Sequence, residues 1–351
     1  EPPHAERGGC DSCGDFLASR TKHRVGPLAP FRRSVGLRAR RAARPPRASR
    51  RTLVSYDAAF DHYQKMLDIH PDLASYSRGA YLLFITGDLR KGRWLMQKAI
   101  DAGGPFAENT AWCRSRLGMM LFSDGNLLAA QQVLNEGLKS APNNMHLLSV
   151  MGRVKTAMKD YPAAIKYYQQ ANAIAPEHNT LAALADLYRL TGNNAEADKQ
   201  EAALEELHTR NQTNGVHDHL QIAQYYADHA KNPVEAVRLA EEHKNTQNVF
   251  EADTLAWCYY QNKQYNEAKE AIDRALNRHT PEAKFLYHAG MIYAKVGEIS
   301  TARKYLYQAL SLNPQFSPIE TPRAVAAVNE LGRTTSTASY KTEPVKKGAA
   351  R

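Results

Sequence analysis

The sequence lacks the features that mark membrane proteins and many enzymes. No apolar run approaches the ~20 residues that a helix needs to cross a bilayer. The nucleophile motif GxSxG, the zinc motif HExxH and a GxGxxG loop after a predicted strand are all missing. The nearest match to a phosphate-binding loop, Gly87 to Gly92, has Arg93 and Trp94 where Lys and Ser or Thr are needed. We therefore expect no membrane span, no catalytic site and no cofactor.

Cysteine is scarce, with four in 351 residues. The CxxC motif at residues 10–13 has no second cysteine pair and no histidine pair near it to complete a zinc site. Cys113 and Cys258 lie singly inside predicted helices and are expected to be small buried residues. His217 and His219 are two residues apart, so on a helix their side chains point in different directions. The sequence predicts no metal site.

Positive charge is concentrated at the two ends of the chain, although the whole chain carries +10. Residues 1–52 contain 13 Lys or Arg against 4 Asp or Glu, and residues 333–351 contain 5 against 1. The 280 residues between them contain 28 Lys or Arg and 31 Asp or Glu. The central part is therefore nearly neutral, and we do not expect it to bind nucleic acid by charge alone.

Small residues recur with a period of 33 to 38 residues. The first small position is occupied by Ala80, Gly118, Gly152, Ala185, Ala223, Ala256 and Gly290. A second small position follows after twelve residues, or thirteen in one unit, at Gly92, Ala130, Ala164, Ala197, Ala236, Ala268 and Ala302. Proline closes several units, at Pro142, Pro176, Pro281 and Pro314.

This pattern resembles the tetratricopeptide repeat, a pair of helices with a period of 34 residues. The resemblance covers about residues 55–315, and the wider sequence is similar to bacterial tetratricopeptide proteins of unassigned function. It implies an all-α fold, a right-handed superhelical α-solenoid built from helix hairpins. It also implies a non-catalytic scaffold that binds a protein or peptide partner.

The residues between the small positions agree with helix hairpins. Apolar residues recur at spacings of three and four, as in Ala164, Tyr167, Tyr168 and Ala171. Turn residues such as Gly87-Asp88 separate the two helices of each unit. Because one hairpin cannot bury its own apolar face, neighbouring hairpins are expected to stack. The two 38-residue spacings predict longer connections, near residues 102–105 and 209–217.

The ends of the array are predicted to be irregular. Residues 53–315 should form a leading half repeat, with its helix at Tyr56 to His70, followed by about seven hairpins. Residues 316–332 should form a capping helix that starts at Thr321 or Pro322 and stops at Gly332. Residues 1–52 and 333–351 are expected to be disordered. For residues 1–52 a basic binding arm, a transit-like presequence and a wrong gene start stay open; we favour the last.

In the tetratricopeptide family the first helix of each hairpin lines the concave groove, which implies a set of candidate binding residues here. By register they are Trp112, Met119, Phe122, Arg153, Arg189, Gln224, Phe250, Asp253, Trp257, Tyr260, Lys284, Tyr287 and Met291.

Two parts of this predicted groove differ in chemistry. Its C-terminal half gathers Trp257, Tyr260 and Tyr287, and such aromatics can bind an extended peptide or a helix. Its middle contains Arg153 and Arg189, which can pair with carboxylates. A register error of one residue would instead place the aromatics in helix packing or self-association. The Lys and Asn clamp with which some family members bind chaperone carboxylates is absent from these positions.

The leading hypothesis is therefore a protein-interaction scaffold that binds its partner in the concave groove. Two alternatives stay open: nucleic-acid or acidic-partner binding through the basic N-terminal segment, and a regulatory scaffold for an enzyme on another chain.

Overall fold

The computed structural model describes residues 56–104 and 107–339, with side chains up to residue 333. The basic segment 1–52, its CxxC motif and the tail 340–351 lie outside the described residues, so the predictions made for them stay predictions. Within the described ranges, no helix combines the length and the apolar character needed to cross a membrane.

The fold is all-α, a right-handed superhelical α-solenoid of helix hairpins. Its described helices are α1 Tyr56–Ile69, α2 Leu73–Ile85, α3 Leu89–Asp101, α4 Ala107–Ser123, α5 Leu127–Ser140, α6 Met145–Ala157, α7 Tyr161–Ile174, α8 His178–Leu190, α9 Asn194–Thr213, α10 His219–Asp228, α11 Pro233–Ala240, α12 Val249–Gln261, α13 Tyr265–Leu276, α14 Ala283–Lys295, α15 Ile299–Leu312 and α16 Glu320–Ser339. Helices α2 to α15 pair into seven hairpins, preceded by the single helix α1 and followed by α16.

Tight turns join the two helices of each hairpin, and each turn needs a residue with positive φ. Four of the hairpins use glycine there, for example Gly87 at φ 91° and Gly297 at φ 85°. Lys159 and Lys263, both at φ 62°, take the same left-handed position in two others. Asp or Asn often follows as the N-cap of the second helix, as where the Asp88 side chain accepts the Lys91 amide.

The recurring small residues allow the two helices of a hairpin to pack closely. A Cβ added to Gly152 would lie 2.9 Å from the Tyr168 ring, and one added to Gly290 would lie 2.5 Å from Leu306 Cγ. Ala164 and Ala302, at the second small position, are fully buried. The sequence period therefore records where neighbouring helices touch. Cys113 and Cys258 are buried as predicted, and burial raises the pKa of the Cys113 thiol to about 11.

The structure corrects three details of the sequence analysis. The insertion predicted as a connection at 209–217 is largely an extension of α9, which continues to Thr213. The capping helix does not stop at Gly332; α16 continues to Ser339, because a single glycine costs a helix only about 1 kcal/mol. It starts at Glu320, one residue before the predicted Thr321, where the Ser317 hydroxyl accepts the Glu320 amide at 3.0 Å and the Thr321 hydroxyl accepts the Ser317 amide at 3.2 Å.

The last hairpins of the array contact the first ones. The Asn313 side-chain amide donates to the Phe122 carbonyl at 2.8 Å, and the Thr280 hydroxyl donates to the Ile85 carbonyl at 2.5 Å. The Ser123 hydroxyl donates to the Glu282 carboxylate at 3.1 Å. The first and last hairpins therefore meet, and the concave side is partly enclosed between them.

Candidate functional site

The partly enclosed concave side contains a cavity of about 490 Å³, here called the inner cavity. Residues of α4, α6, α8 and α10 line it, together with the segment 315–320 that follows the last hairpin. Its lining includes five of the candidate residues predicted from the register: Met119, Phe122, Arg153, Gln224 and Lys284. Polar side chains such as Ser115, Ser149 and Asn179 lie among them. A cavity of this size lies within the range that binds small ligands or short peptide segments.

Two half-buried arginines line the inner cavity without an ion-pair partner among the described residues. The Arg153 guanidinium lies 4.8 Å from the centre of the Phe122 ring. The Arg116 guanidinium lies 5.2 Å from the Trp112 ring and 5.9 Å from the Tyr81 ring. The aromatic rings orient both cations and leave their hydrogen-bonding edges available to an acceptor.

The C-terminal half of the concave side is filled by the chain itself. Trp257 and Tyr287 are only 3% and 1% exposed, so they do not line an open aromatic groove as predicted. The Phe316 ring packs on Tyr287 with 5.8 Å between centres, and Trp257 stacks on Tyr260 at 4.5 Å. These aromatic rings therefore pack against one another, as the packing alternative predicted, and Phe316 from the segment after α15 covers Tyr287.

A buried ionic cluster lies beside these aromatic rings: Asp228, Asp253, Lys284, His288 and Glu320. The Lys284 ammonium lies 2.6 Å from Asp228 and 3.9 Å from Glu320. His288 Nδ1 lies 2.9 Å from Asp253, and its Nε2 lies 3.5 Å from Glu320. Two of the predicted binding residues, Asp253 and Lys284, are thus engaged within the fold.

The pKa values in the ionic cluster follow from burial opposed by neighbouring charge. Burial alone would lower the pKa of His288, but the Asp253 and Glu320 carboxylates raise it to about 9. Burial alone would raise the pKa of Glu320, but Lys284 and His288 lower it to about 2. The cluster therefore contains its own cations at neutral pH.

A second buried group, here called the histidine cluster, consists of His178, His208 and Asp218. Asp218 Oδ1 lies 2.8 Å from His208 Nδ1, and Asp218 Oδ2 lies 3.0 Å from His178 Nε2. Burial lowers the pKa of His178, against the opposing effect of Asp218. The donor atoms of all three residues lie within 4.8 Å of one another, close enough to share one metal ion.

Comparison with known proteins assigns the repeats. A family model described as the tetratricopeptide repeat matches residues 146–178, 253–278 and 283–316. The chain carries tetratricopeptide repeats. A TPR repeat-containing protein of Methanocaldococcus jannaschii is 39% identical over 89 residues, which is 25% of this chain and 16% of that protein. The chain thus spans only a small part of this relative's length.

Solved structures of other tetratricopeptide and helical-repeat proteins are also similar. The APC/C hetero-tetramer Cut9–Hcn1 aligns at TM-score 0.42 and 16% identity, over 79% of this chain and 52% of that one. A tetratricopeptide repeat protein from Parabacteroides merdae aligns at TM-score 0.40 and 16% identity, over 79% and 98%. Yeast Tom70 aligns at TM-score 0.43 and 14% identity, over 83% and 61%.

The remaining register-predicted residues of this tetratricopeptide array lie away from the inner cavity. Arg189 is exposed and pairs with Asp198 at 2.5 Å and with Glu201 at 3.4 Å. Phe250 packs edge-on against Phe285 at 5.3 Å, and Met291 packs partly buried against the C-terminal core. Trp112 and Tyr260 are likewise partly buried against the cores beside them. Repeat register therefore locates the concave side, but side-chain direction and neighbouring segments decide what is accessible.

The histidine cluster escaped the sequence analysis. His178 and His208 are thirty residues apart, and they come from different tetratricopeptide helices, so no short motif connects them. The signal that could have drawn attention to them is the 38-residue spacing, because His208 and Asp218 flank the α9 extension. His219, by contrast, lies 2.9 Å from Glu242, outside this cluster.

Tetratricopeptide arrays offer curved surfaces on which protein partners bind. The repeats of this chain therefore support a role as a protein-interaction scaffold, a class that is typically non-catalytic.

Proposed function

We propose that this protein is a non-catalytic adaptor that binds a short acidic segment of a partner protein in the inner cavity. The observation that carries the proposal is the pair Arg116 and Arg153. Both line the inner cavity, and neither forms an ion pair with a described carboxylate. Arginine binds carboxylates through two parallel hydrogen bonds, and these are strong where water is partly excluded.

The acidic residues of the cavity lining also favour an acidic ligand, because most of them already pair with a cation of the chain. Asp186 already pairs with His229 at 2.8 Å, and this contact raises the pKa of His229 although burial opposes it. Asp228 and Glu320 already contact Lys284 in the ionic cluster. Glu177 is the one acidic lining residue without an ion pair among the described residues. Two lining guanidinium groups without an ion pair stand against one such lining carboxylate, which suits an acidic ligand. Glu282, outside the lining, is a carboxylate near Arg153, whose charge opposes the rise that burial causes in the Glu282 pKa.

The filled C-terminal half limits the size of the ligand. Phe316 and the start of α16 occupy the surface that a long helix would need to bind along the whole array. The inner cavity leaves room for a short extended segment, whose backbone can bond Ser149, Asn179 and Gln224. An extended peptide also exposes backbone donors and acceptors that a helix would keep to itself.

Affinity purification with quantitative mass spectrometry tests this proposal. The bait is compared with an Arg116→Glu/Arg153→Glu variant and with Arg189→Glu, a control that changes an exposed arginine outside the inner cavity. We expect partners shared by the wild type and Arg189→Glu to fall at least about tenfold with the double variant, roughly 1.4 kcal/mol. Equal recovery by all three baits would contradict the proposal.

An acidic peptide from a recovered partner provides the direct measurement. Its affinity for the wild type should fall as salt is raised, because the binding charges are only half-buried. The Arg153→Lys variant should recover part of the affinity lost in Arg153→Glu, since lysine restores the charge without the planar fork.

The two alternative functions, nucleic-acid or acidic-partner binding through residues 1–52 and regulation of an enzyme on another chain, do not depend on the inner cavity. Binding through the basic segment 1–52 would appear as salt-dependent retention on nucleic acid that disappears when the segment is deleted. A regulatory scaffold for an enzyme would appear as co-purification with an active subunit.

A further inference from the structure

Three helices bring two imidazoles and one carboxylate to a single buried point. His178 is the first residue of α8, His208 lies in the C-terminal part of α9, and Asp218 directly precedes α10. All three residues are at most 9% exposed. We propose that His178, His208 and Asp218 bind a divalent transition-metal ion, for which zinc is the best fit.

The donor set and its spacing suit this ion. Two imidazole nitrogens with one carboxylate oxygen form a frequent ligand set for zinc, which accepts nitrogen and oxygen donors in tetrahedral geometry. Metal–ligand bonds of about 2.0–2.2 Å separate tetrahedral donors by roughly 3.3–3.5 Å. Each imidazole here faces a different oxygen of Asp218, at 2.8 and 3.0 Å, and the three donor atoms lie within 4.8 Å of one another. A bound ion therefore requires these side chains to shift by less than about 1 Å.

The charge balance differs from that of the ionic cluster. There the Lys284 ammonium lies between Asp228 and Glu320 and supplies the positive charge from within the chain. Asp218 is 4% exposed, and among residues 56–104 and 107–339 no lysine or arginine forms an ion pair with it. A buried carboxylate needs a compensating partner, and a bound cation supplies one that two imidazoles can coordinate.

The orientation of His178 is a second, independent observation. Its ring is 7% exposed, and Nε2 has no hydrogen-bond partner although it lies 3.0 Å from Asp218 Oδ2. The distance is short enough for a hydrogen bond, but the angle is not met. Asp218 still opposes the lowering of the His178 pKa by burial, so the two groups interact. A buried ring nitrogen that faces a carboxylate with poor hydrogen-bond geometry is placed as a metal ligand would be.

Neighbouring amides support the other two ligands. The Asn211 side-chain amide donates to Asp218 Oδ2 at 2.7 Å and holds the carboxylate. The Gln212 side-chain amide lies 2.9 Å from His208 Nε2. When Nδ1 binds a metal the proton resides on Nε2, and a rotated Gln212 amide can accept it through its oxygen. Such outer contacts orient ligands in known metal sites.

The proposed ion would connect helices at the point where the array departs from its period. His208 and Asp218 flank the end of the extended helix α9, and His178 belongs to the preceding helix α8. The ion would therefore fix the extension against its own hairpin and the next one. Three protein ligands leave a fourth position for water.

Metal titration of the full-length chain, without an affinity tag, tests the proposal. Cys10 and Cys13 are replaced by serine so that their thiols cannot contribute, and metal is first removed with a chelator. We expect one Zn²⁺ per chain, and binding more than about 100-fold weaker in His208→Ala and in Asp218→Asn. Gln212→Ala should weaken binding about tenfold. The control His217→Ala changes an exposed neighbour of the cluster and should bind normally.

Two outcomes would overturn the proposal. One is the absence of stoichiometric binding by the chain in which Cys10 and Cys13 are serine; the other is unchanged affinity in Asp218→Asn, which would mean that the ion binds elsewhere. Co²⁺ gives a readout that does not depend on the folding of any variant. Bound to the same chain with Cys10 and Cys13 replaced by serine, it should develop the visible absorption of a tetrahedral nitrogen and oxygen site, and failure to do so would also exclude the assignment.

Discussion

The concave side of this array has two halves that share one repeat register. They differ in whether other parts of the chain cover and pair their inward-facing side chains. In the C-terminal half, Phe316 covers Tyr287, and Lys284 neutralises buried carboxylates. In the middle, the inner cavity remains, and Arg116 and Arg153 have no ion pair among the described residues. The chain therefore supplies charged partners in the C-terminal half, and it supplies none for Arg116 and Arg153 among the described residues of the middle.

This difference shows why repeat register alone does not identify a binding surface. The register positions of Trp257 and Arg153 are equivalent in type, since both lie on the first helix of a hairpin facing the concave side. Trp257 is nevertheless buried, because Tyr260 and His288 stack on its ring and Tyr287, which Phe316 covers, packs beside it. A terminal segment can therefore convert part of a binding groove into core.

One of the two largest expected changes in the free energy of unfolding comes from removing the Lys284 ammonium group of the ionic cluster. Lys284→Ala leaves the buried Glu320 and the partly buried Asp228 without this cation. Since Lys284 and Asp228 are 20% and 22% exposed, we expect a loss of about 2–3 kcal/mol, below the range for a fully buried pair. Urea denaturation followed by circular dichroism measures the change. Lys139→Ala, which removes a lysine whose side chain is 71% exposed, is the control and should unfold like the wild type. Similar unfolding curves for both variants would contradict the claim that Lys284 stabilises the C-terminal half.

Removing the Phe316 ring, which covers Tyr287 in the C-terminal half, should cause a loss of stability of similar size. Phe316→Ala removes a ring that is 6% exposed from its contact with Tyr287, with an expected loss of about 3 kcal/mol. Acrylamide quenching of Trp257 fluorescence, with the other two tryptophans changed to phenylalanine, should increase. Tyr307→Ala, at a position 53% exposed, should change stability by less than about 0.5 kcal/mol. Unchanged quenching would mean that Phe316 does not cover this half.

The ionic cluster also predicts a pH dependence of stability. Since the pKa of His288 is raised to about 9 in the fold, its contribution is complete below the unfolded value near 6.5. That contribution is lost as pH rises through 9. The wild type should therefore lose about 2 kcal/mol relative to His288→Gln between pH 6.5 and 9. A constant difference between the two proteins over this range would show that His288 is not charged in the fold.

The smallest effect is expected at Arg189, which the register grouped with Arg153. Its guanidinium is exposed, and its pairing with Asp198 and Glu201 is confined to its own hairpin. Arg189→Ala should leave the unfolding midpoint unchanged within error, because exposed ion pairs contribute little. A large destabilisation, or loss of a partner that Arg153→Ala retains, would reverse the assignment of the two arginines.

Much of the fold could be predicted from residue spacing. Gly152 and Gly290 recur because a larger side chain would meet Tyr168 or Leu306, so the period in the sequence is a direct record of helix contacts. The turn residues at Gly87 and Gly297 follow equally directly from the positive φ that they need. The extension of α9 was harder to predict, because the same residues are compatible with a loop and with two further helical turns.

The sequence by itself determined the hairpins, their number and the side of each helix that faces inward, because these depend on contacts between residues less than about forty positions apart. Only the tertiary structure decided which inner side chains are accessible and which buried groups meet. Contacts such as Asn313 with Phe122, or Thr280 with Ile85, depend on how the hairpins stack in space. That stacking accumulates over the whole array, and no local pattern of residues encodes it.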